Sequence, residues 1–171
     1  MAGWTACSIP AQRGRVAIVT GTGGLGFETA LELARAGANV ILAGRDADRA
    51  ASVAKLRAAT NGASMRFEML DLACLTSVKA FGTRIQDERP DLLVDNAGVM
   101  APPTRKVTTD GFELQFGTNS LGHFALTAQL FHNCGRDTSR ASSRSAASAP
   151  TSETSTSMTC SPAELPPDGC L

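Results

Sequence analysis

The stretch Val16 to Gly26, VAIVTGTGGLG, constrains this chain more than any other. A short β-branched apolar run ends in a cluster of glycines, and a helix-compatible segment, FETALELARAGA, follows at once. That order predicts strand, tight turn and helix. Read literally, Gly21, Gly23 and Gly26 form G-x-G-x-x-G. In such a pattern the first glycine permits a sharp turn. The second lets the backbone approach a pyrophosphate, and the third lets the helix pack closely on the strand. The phosphates would rest on the free N–H groups and positive dipole end of a helix that starts near Gly24. The plain alternative is a glycine-rich turn that binds nothing. The strand before it and the amphipathic helix after it favour the dinucleotide reading.

The chain then alternates. Strands are expected at Arg15 to Thr20, Asn39 to Ala43, Met65 to Leu70 and Asp91 to Val94, each an apolar run bounded by turn residues. Helices are expected from about Gly24 to Ala36, Ala47 to Thr60, Leu75 to Glu88 and Gly111 to Phe131. Gly37 suits the position after the first helix, Asp46 suits the cap of the second, and Asn61-Gly62 and Pro90 mark turns. The NVILA run of the second strand suits a parallel strand buried on both faces. Repeated βαβ units imply an α/β fold with a doubly wound parallel sheet in the order 3-2-1-4. The lead-in, residues 1–14, is expected to be irregular, with Trp4 and Ile9-Pro10 covering an edge of the core.

Length and composition narrow the partners. A chain of 171 residues fits one domain. Its formal net charge is zero and its Lys and Arg are spread out, so nothing favours a nucleic-acid partner. No apolar run approaches a membrane span, and the first residues lack a basic-then-apolar leader. The five cysteines are scattered, with no C-x-x-C pair or matching histidine for a metal site. Cys74 reads as a small core filler, and a cytoplasmic setting is the natural expectation.

Near residue 133 the pattern stops. From Gly135 to Leu171 the text is dominated by Ser, Thr, Ala, Pro and Arg. Such a segment offers too little apolar surface to offset its ordering entropy, and disorder is expected. The expected division is a partial dinucleotide-binding domain at 1–132 and a low-complexity tail at 133–171. A shifted reading frame in a GC-rich gene would write text of this kind, and a natural low-complexity tail is the alternative. With the later strands lost, the fourth strand would become an exposed apolar edge.

Four features, in order, resemble the short-chain dehydrogenase/reductase family. These are TGTGGLG at Thr20 to Gly26, Asp71-Leu72 at the end of the third strand, Asp95-Asn96-Ala97-Gly98 at the end of the fourth, and Asn119 in FGTNSLGHFALT. The opening segment and the loop GVMAPP suggest the branch resembling retinol dehydrogenases and protochlorophyllide reductases. The resemblance covers about residues 4–132 and implies the N-terminal half of a Rossmann-like sheet. It implies a nicotinamide cofactor held by Gly21, Thr22, Gly23, Gly24, Leu25, Gly26, Asp71, Leu72, Asn96, Ala97 and Gly98, with Asp71 beside the adenine. It implies a small carbonyl or alcohol substrate, with Asn119 as the surviving member of the catalytic set.

Three departures stand out. The glycine motif is one residue shorter than the family's Thr-Gly-x-x-x-Gly-x-Gly, Asp95 replaces the first Asn of Asn-Asn-Ala-Gly, and the chain contains no tyrosine. The family's Tyr-x-x-x-Lys acid/base pair is therefore not among these residues, and no lysine follows Lys106. His123, one turn beyond Asn119, could titrate, although a surface or core histidine is the commoner outcome. Arg45, at the end of the second strand, is placed to fork onto a ribose 2′-phosphate, which favours NADP over NAD. A solvated surface arginine is the alternative. The expected function is that of an NADP-dependent oxidoreductase by family, inactive as written and without the family's dimer interface. The alternatives are a non-catalytic nucleotide-binding or interaction module, or a non-functional fragment.

Overall fold

The computed structural model describes residues 3, 5–45, 53, 60, 64–134, 141–144 and 156–159. A 3₁₀ turn at Ala6–Ser8 precedes β1 (Val16–Thr20), α1 (Leu25–Arg35), β2 (Asn39–Gly44) and β3 (Met65–Met69). Then come α2 (Leu75–Arg84), β4 (Leu92–Asp95), a π-helical segment at Phe116–Gly122 and α3 (His123–Cys134). β5 (Ala141–Arg144) and β6 (Thr156–Thr159) follow. Trp4, Asp46, Asn61-Gly62 and most of the helix expected at Ala47 to Thr60 lie outside the described residues, although Val53 is helical and buried.

The sheet order is β3-β2-β1-β4-β5-β6. Its first four strands run in parallel in the expected order, with Ile18 level with both Ile41 and Leu93. Side chains alternate across the sheet, as the two-residue period of a strand requires. Ala17, Val19, Val40 and Leu42 face α1 with Ala30, Leu31 and Ala34. Ile18, Ile41, Ala43 and Leu93 face the other way, onto Val78 and Phe81 of α2 and Leu126 and Leu130 of α3. Both faces of β2 are therefore covered, as its continuous apolar run requires.

The sequence expectation of an exposed fourth-strand edge is corrected by β5, which lies parallel beside β4 with Leu92 opposite Ala141. β6 then adds antiparallel to β5. Both segments fall in the tail expected to be disordered, the remainder of which lies outside the described residues. Ladder hydrogen bonds use backbone groups alone, so the apolar periodicity that marks the inner strands gives no warning of these two.

Helix ends follow the local chemistry. Gly37 sits after α1 at φ +96°, with its N–H on the Ala34 carbonyl and the Ala38 N–H on the Leu33 carbonyl. This is the paired closure that glycine permits at a helix C-terminus. Gln12 was not singled out from sequence, yet it is buried and ties the lead-in to that end through its N–H on the Ala36 carbonyl, 2.8 Å. Cys74 is half-buried at the N-terminal cap of α2 and is not a core filler.

The stretch before the π-helical segment is held by a carboxylate. Glu113 accepts the N–H of Gln115 and of Phe116, each at 2.8 Å. Those bonds, with a smaller contribution from Arg105, hold its carboxyl below the usual glutamate range. A carboxyl with a lowered folded pKa adds stability that is complete above its unfolded value and is lost as pH falls through the folded one. Thermal unfolding of Glu113→Gln should therefore lie below that of the parent at neutral pH. The two should converge in acid, and a difference independent of pH would contradict the assignment.

Candidate functional site

The glycine turn, β4 and the π-helical segment meet at the C-terminal edge of the sheet, where open α/β sheets bind ligands. Thr20, the last residue of β1, is fully buried and organises this edge. Its hydroxyl oxygen accepts the N–H of Asn96 at 2.9 Å and of Ala97 at 3.0 Å. Its single proton faces the Val94 carbonyl at 3.2 Å and His123 Nε2 at 3.1 Å. Asn96 Nδ2 returns a bond to the Thr20 carbonyl, 3.0 Å. The ends of β1 and β4 are thus cross-tied just where the glycine loop begins.

The loop then turns on glycines. Gly21 has φ +92° and Gly24 has φ +54°, both in the region that side chains disfavour. A Cβ on Gly26 would lie 2.5 Å from Asn96 Nδ2 and 2.7 Å from the Gly21 carbonyl oxygen. A Cβ on Gly24 would meet nothing within 4 Å. Gly24 is also the N-cap of α1, so the open face of the turn is the helix's N-terminal end. The special glycines are 21, 24 and 26. Gly23, the second glycine of the sequence pattern, does not have a positive φ. The spacing 21, 24, 26 is the longer family pattern with one residue removed between its first and second glycines.

The other anticipated residues divide by what their side chains do. Thr22 touches Gly44, whose added Cβ would lie 2.7 Å from Thr22 Cγ2, so the glycine loop abuts the end of β2. Arg45 follows Gly44 and is exposed there. Leu25, also exposed, opens α1. Asp71 closes its own turn through Oδ1, which accepts the Ala73 N–H at 2.9 Å. Leu72 is buried in the core, and its carbonyl packs on Gly122. Ala97 is half-buried and Gly98 exposed.

Asn119 grips the exit of β4. Its Oδ1 accepts the Val99 N–H at 2.9 Å and its Nδ2 donates to the Val99 carbonyl at 2.8 Å. It lies in the π-helical segment, a local widening frequent at functional sites. His123 is a core histidine, 3% exposed. Its Nδ1 is 3.1 Å from the Asn119 carbonyl, which can only accept, so Nδ1 carries a proton. The Asp95 carboxylate is buried, 4.0 Å from His123 Nε2. Among the described residues no helix is long and apolar enough to cross a membrane.

A sequence model described as short chain dehydrogenase matches residues 15–141. Retinol dehydrogenase 13 of Homo sapiens is 49% identical over 121 residues, which cover 68% of this chain and 36% of that protein. Polyprenol dehydrogenase of Danio rerio is 47% identical over 126 residues, covering 71% and 39%. The chain therefore spans little more than a third of the length of these curated relatives. Among solved structures, an uncharacterised protein from Mycobacterium paratuberculosis superposes with a TM-score of 0.70 at 42% identity, covering 78% of this chain and 47% of that one. A metagenomic short-chain oxidoreductase in complex with NADP superposes at 0.63 and 26% identity, covering 72% and 57%.

Proposed function

The chain belongs to the short-chain dehydrogenase family of oxidoreductases, and from that premise we propose that it binds NADP(H) at the glycine turn without carrying the acid/base half of the reaction. The carrying observation is the cradle at Gly24, which has open space in front of its backbone at the N-terminal end of α1. A pyrophosphate there meets N–H groups not yet engaged in the helical ladder, along the favourable end of the dipole. Asn96, Ala97 and the cross-tie through Thr20 hold the facing wall. When bound, the nicotinamide supplies the hydride chemistry. The protein's part is to hold and orient it. With no tyrosine in these 171 residues, the family's proton-transfer group has no counterpart here, and Asn119 cannot titrate in its place.

Arg45 supports the choice of NADP. It stands exposed after β2, beside the glycine loop, where a ribose 2′-phosphate would lie. The metagenomic neighbour was solved with NADP. Arg45→Ala should weaken NADPH by roughly ten- to a hundred-fold, the worth of a charge-assisted hydrogen bond, and leave NADH nearly unchanged. Parallel fluorescence titrations measure both, and equal losses would remove the 2′-phosphate assignment. Relatives named for retinol and polyprenol support an alcohol as the substrate class.

A further inference from the structure

The loop leaving β4 is held twice, one turn apart. Asn119 grips both backbone groups of Val99. Gln115, four residues earlier, accepts the Ala101 N–H on its Oε1 at 3.0 Å. Gln115 and Asn119 stand four residues apart on one helical stretch and take alternate residues of the loop, Ala101 and Val99. The second grip falls on an unusual residue. Ala101 has φ +45°, alone among the non-glycine residues described. Its Cβ disfavours that region, and Pro102, which follows, disfavours the right-handed helical one. A conformation of this kind persists only where its surroundings over-determine it. Gln115 is itself anchored, its N–H on Glu113 Oε1.

We propose that Gln115 is a positioning residue of the nucleotide cleft: with Asn119 it forms a two-rung clamp that fixes Val99 to Ala101 as the continuation of the Asn96–Gly98 wall. The inference rests on the nucleotide-binding reading and deepens it. The wall begins where Asn96 and Ala97 abut Gly21, whose added Cβ would lie 2.9 Å from Asn96 Nδ2 and 3.3 Å from the Ala97 Cα. A clamp on the same loop, just beyond that wall, sets where the wall ends.

The test uses the whole chain and two substitutions. Gln115→Met keeps the length and removes the acceptor, whereas Gln115→Glu keeps an acceptor oxygen. Hydrogen exchange at the Ala101 amide should quicken about five-fold in the methionine variant and return toward the parent in the glutamate variant, the scale of one lost hydrogen bond. NADPH affinity of the methionine variant should fall about two- to five-fold by calorimetry. Unchanged exchange in Gln115→Met, or exchange as fast in Gln115→Glu, overturns the clamp. Faster exchange with unchanged NADPH affinity overturns the positioning role and leaves a purely structural one. If the parent chain binds no NADPH, the cofactor reading fails, and the positioning role with it; the exchange data still report on the clamp alone.

Discussion

Replacing Thr20 by valine should destabilise the protein by roughly 2–4 kcal/mol, because it strips the acceptor from two donors at once. Valine matches threonine in shape, so no cavity forms and the loss isolates the hydroxyl. The N–H groups of Asn96 and Ala97 both end on that oxygen. A buried donor left without an acceptor costs about 1–3 kcal/mol, and these two are partly buried, which places each in the lower half of that range. Against a total stability of about 5–15 kcal/mol for an ordinary domain, this is a large fraction. Urea unfolding of Thr20→Val and Thr20→Ser separates hydroxyl from shape. Serine keeps the hydroxyl and loses one buried methyl group, so it should cost only about 1 kcal/mol. A valine variant within about 0.5 kcal/mol of the parent, the range of a neutral surface change, would show that Thr20 does not hold the β1–β4 edge.

Gly26→Ala should weaken nucleotide binding about a hundred-fold and cost about 1–3 kcal/mol of stability, the usual price of overpacking. The new methyl group would meet Asn96 Nδ2 at 2.5 Å and the Gly21 carbonyl oxygen at 2.7 Å. The Asn96 amide is held by its bond to the Thr20 carbonyl, and the Gly21 oxygen is backbone. Helix α1 must therefore back away from the turn, carrying Gly24 and its neighbouring N–H groups with it. A displacement near 1 Å at a positioning element can cost about a hundred-fold. Calorimetry with NADPH, beside a thermal melt showing that the variant is folded, measures the effect. Parent-like affinity in a folded variant would place the phosphates elsewhere.

The inner sheet was legible because its strands are apolar on both faces and its turns are glycine, proline and asparagine. VAIVT, NVILA and the LLV of β4 are where the sequence puts them, with ends shifted by a residue. β5 and β6 were not legible, since ASSR and TSMT carry no apolar period, and ladder hydrogen bonds are made by backbone groups that every residue carries. At the site, Gly21 and Gly26 follow from the motif. Gly24 does not, because a loop one residue short shifts the pattern, and the sign of φ is not written in the letters. The placement of His123 was out of reach for a different reason. Whether a histidine one turn past Asn119 faces solvent or core depends on which strand ends lie beneath it. Here they are Thr20 and Asp95, far away in sequence and joined by the sheet. Gln115 gave no signal at all, since its partner is a backbone N–H in a loop.

The central claim is that the glycine turn is where a dinucleotide binds, and a single titration addresses it. The uniformly ¹⁵N-labelled chain is titrated with NADPH, and its assigned backbone amide resonances are followed. Saturable shifts gathered on Gly21 to Gly26 and Asn96 to Gly98, with Arg66 and Glu88 at the opposite end of the sheet left still, are the predicted result. No shift at saturating NADPH, or shifts that spare the glycine turn, would contradict the account.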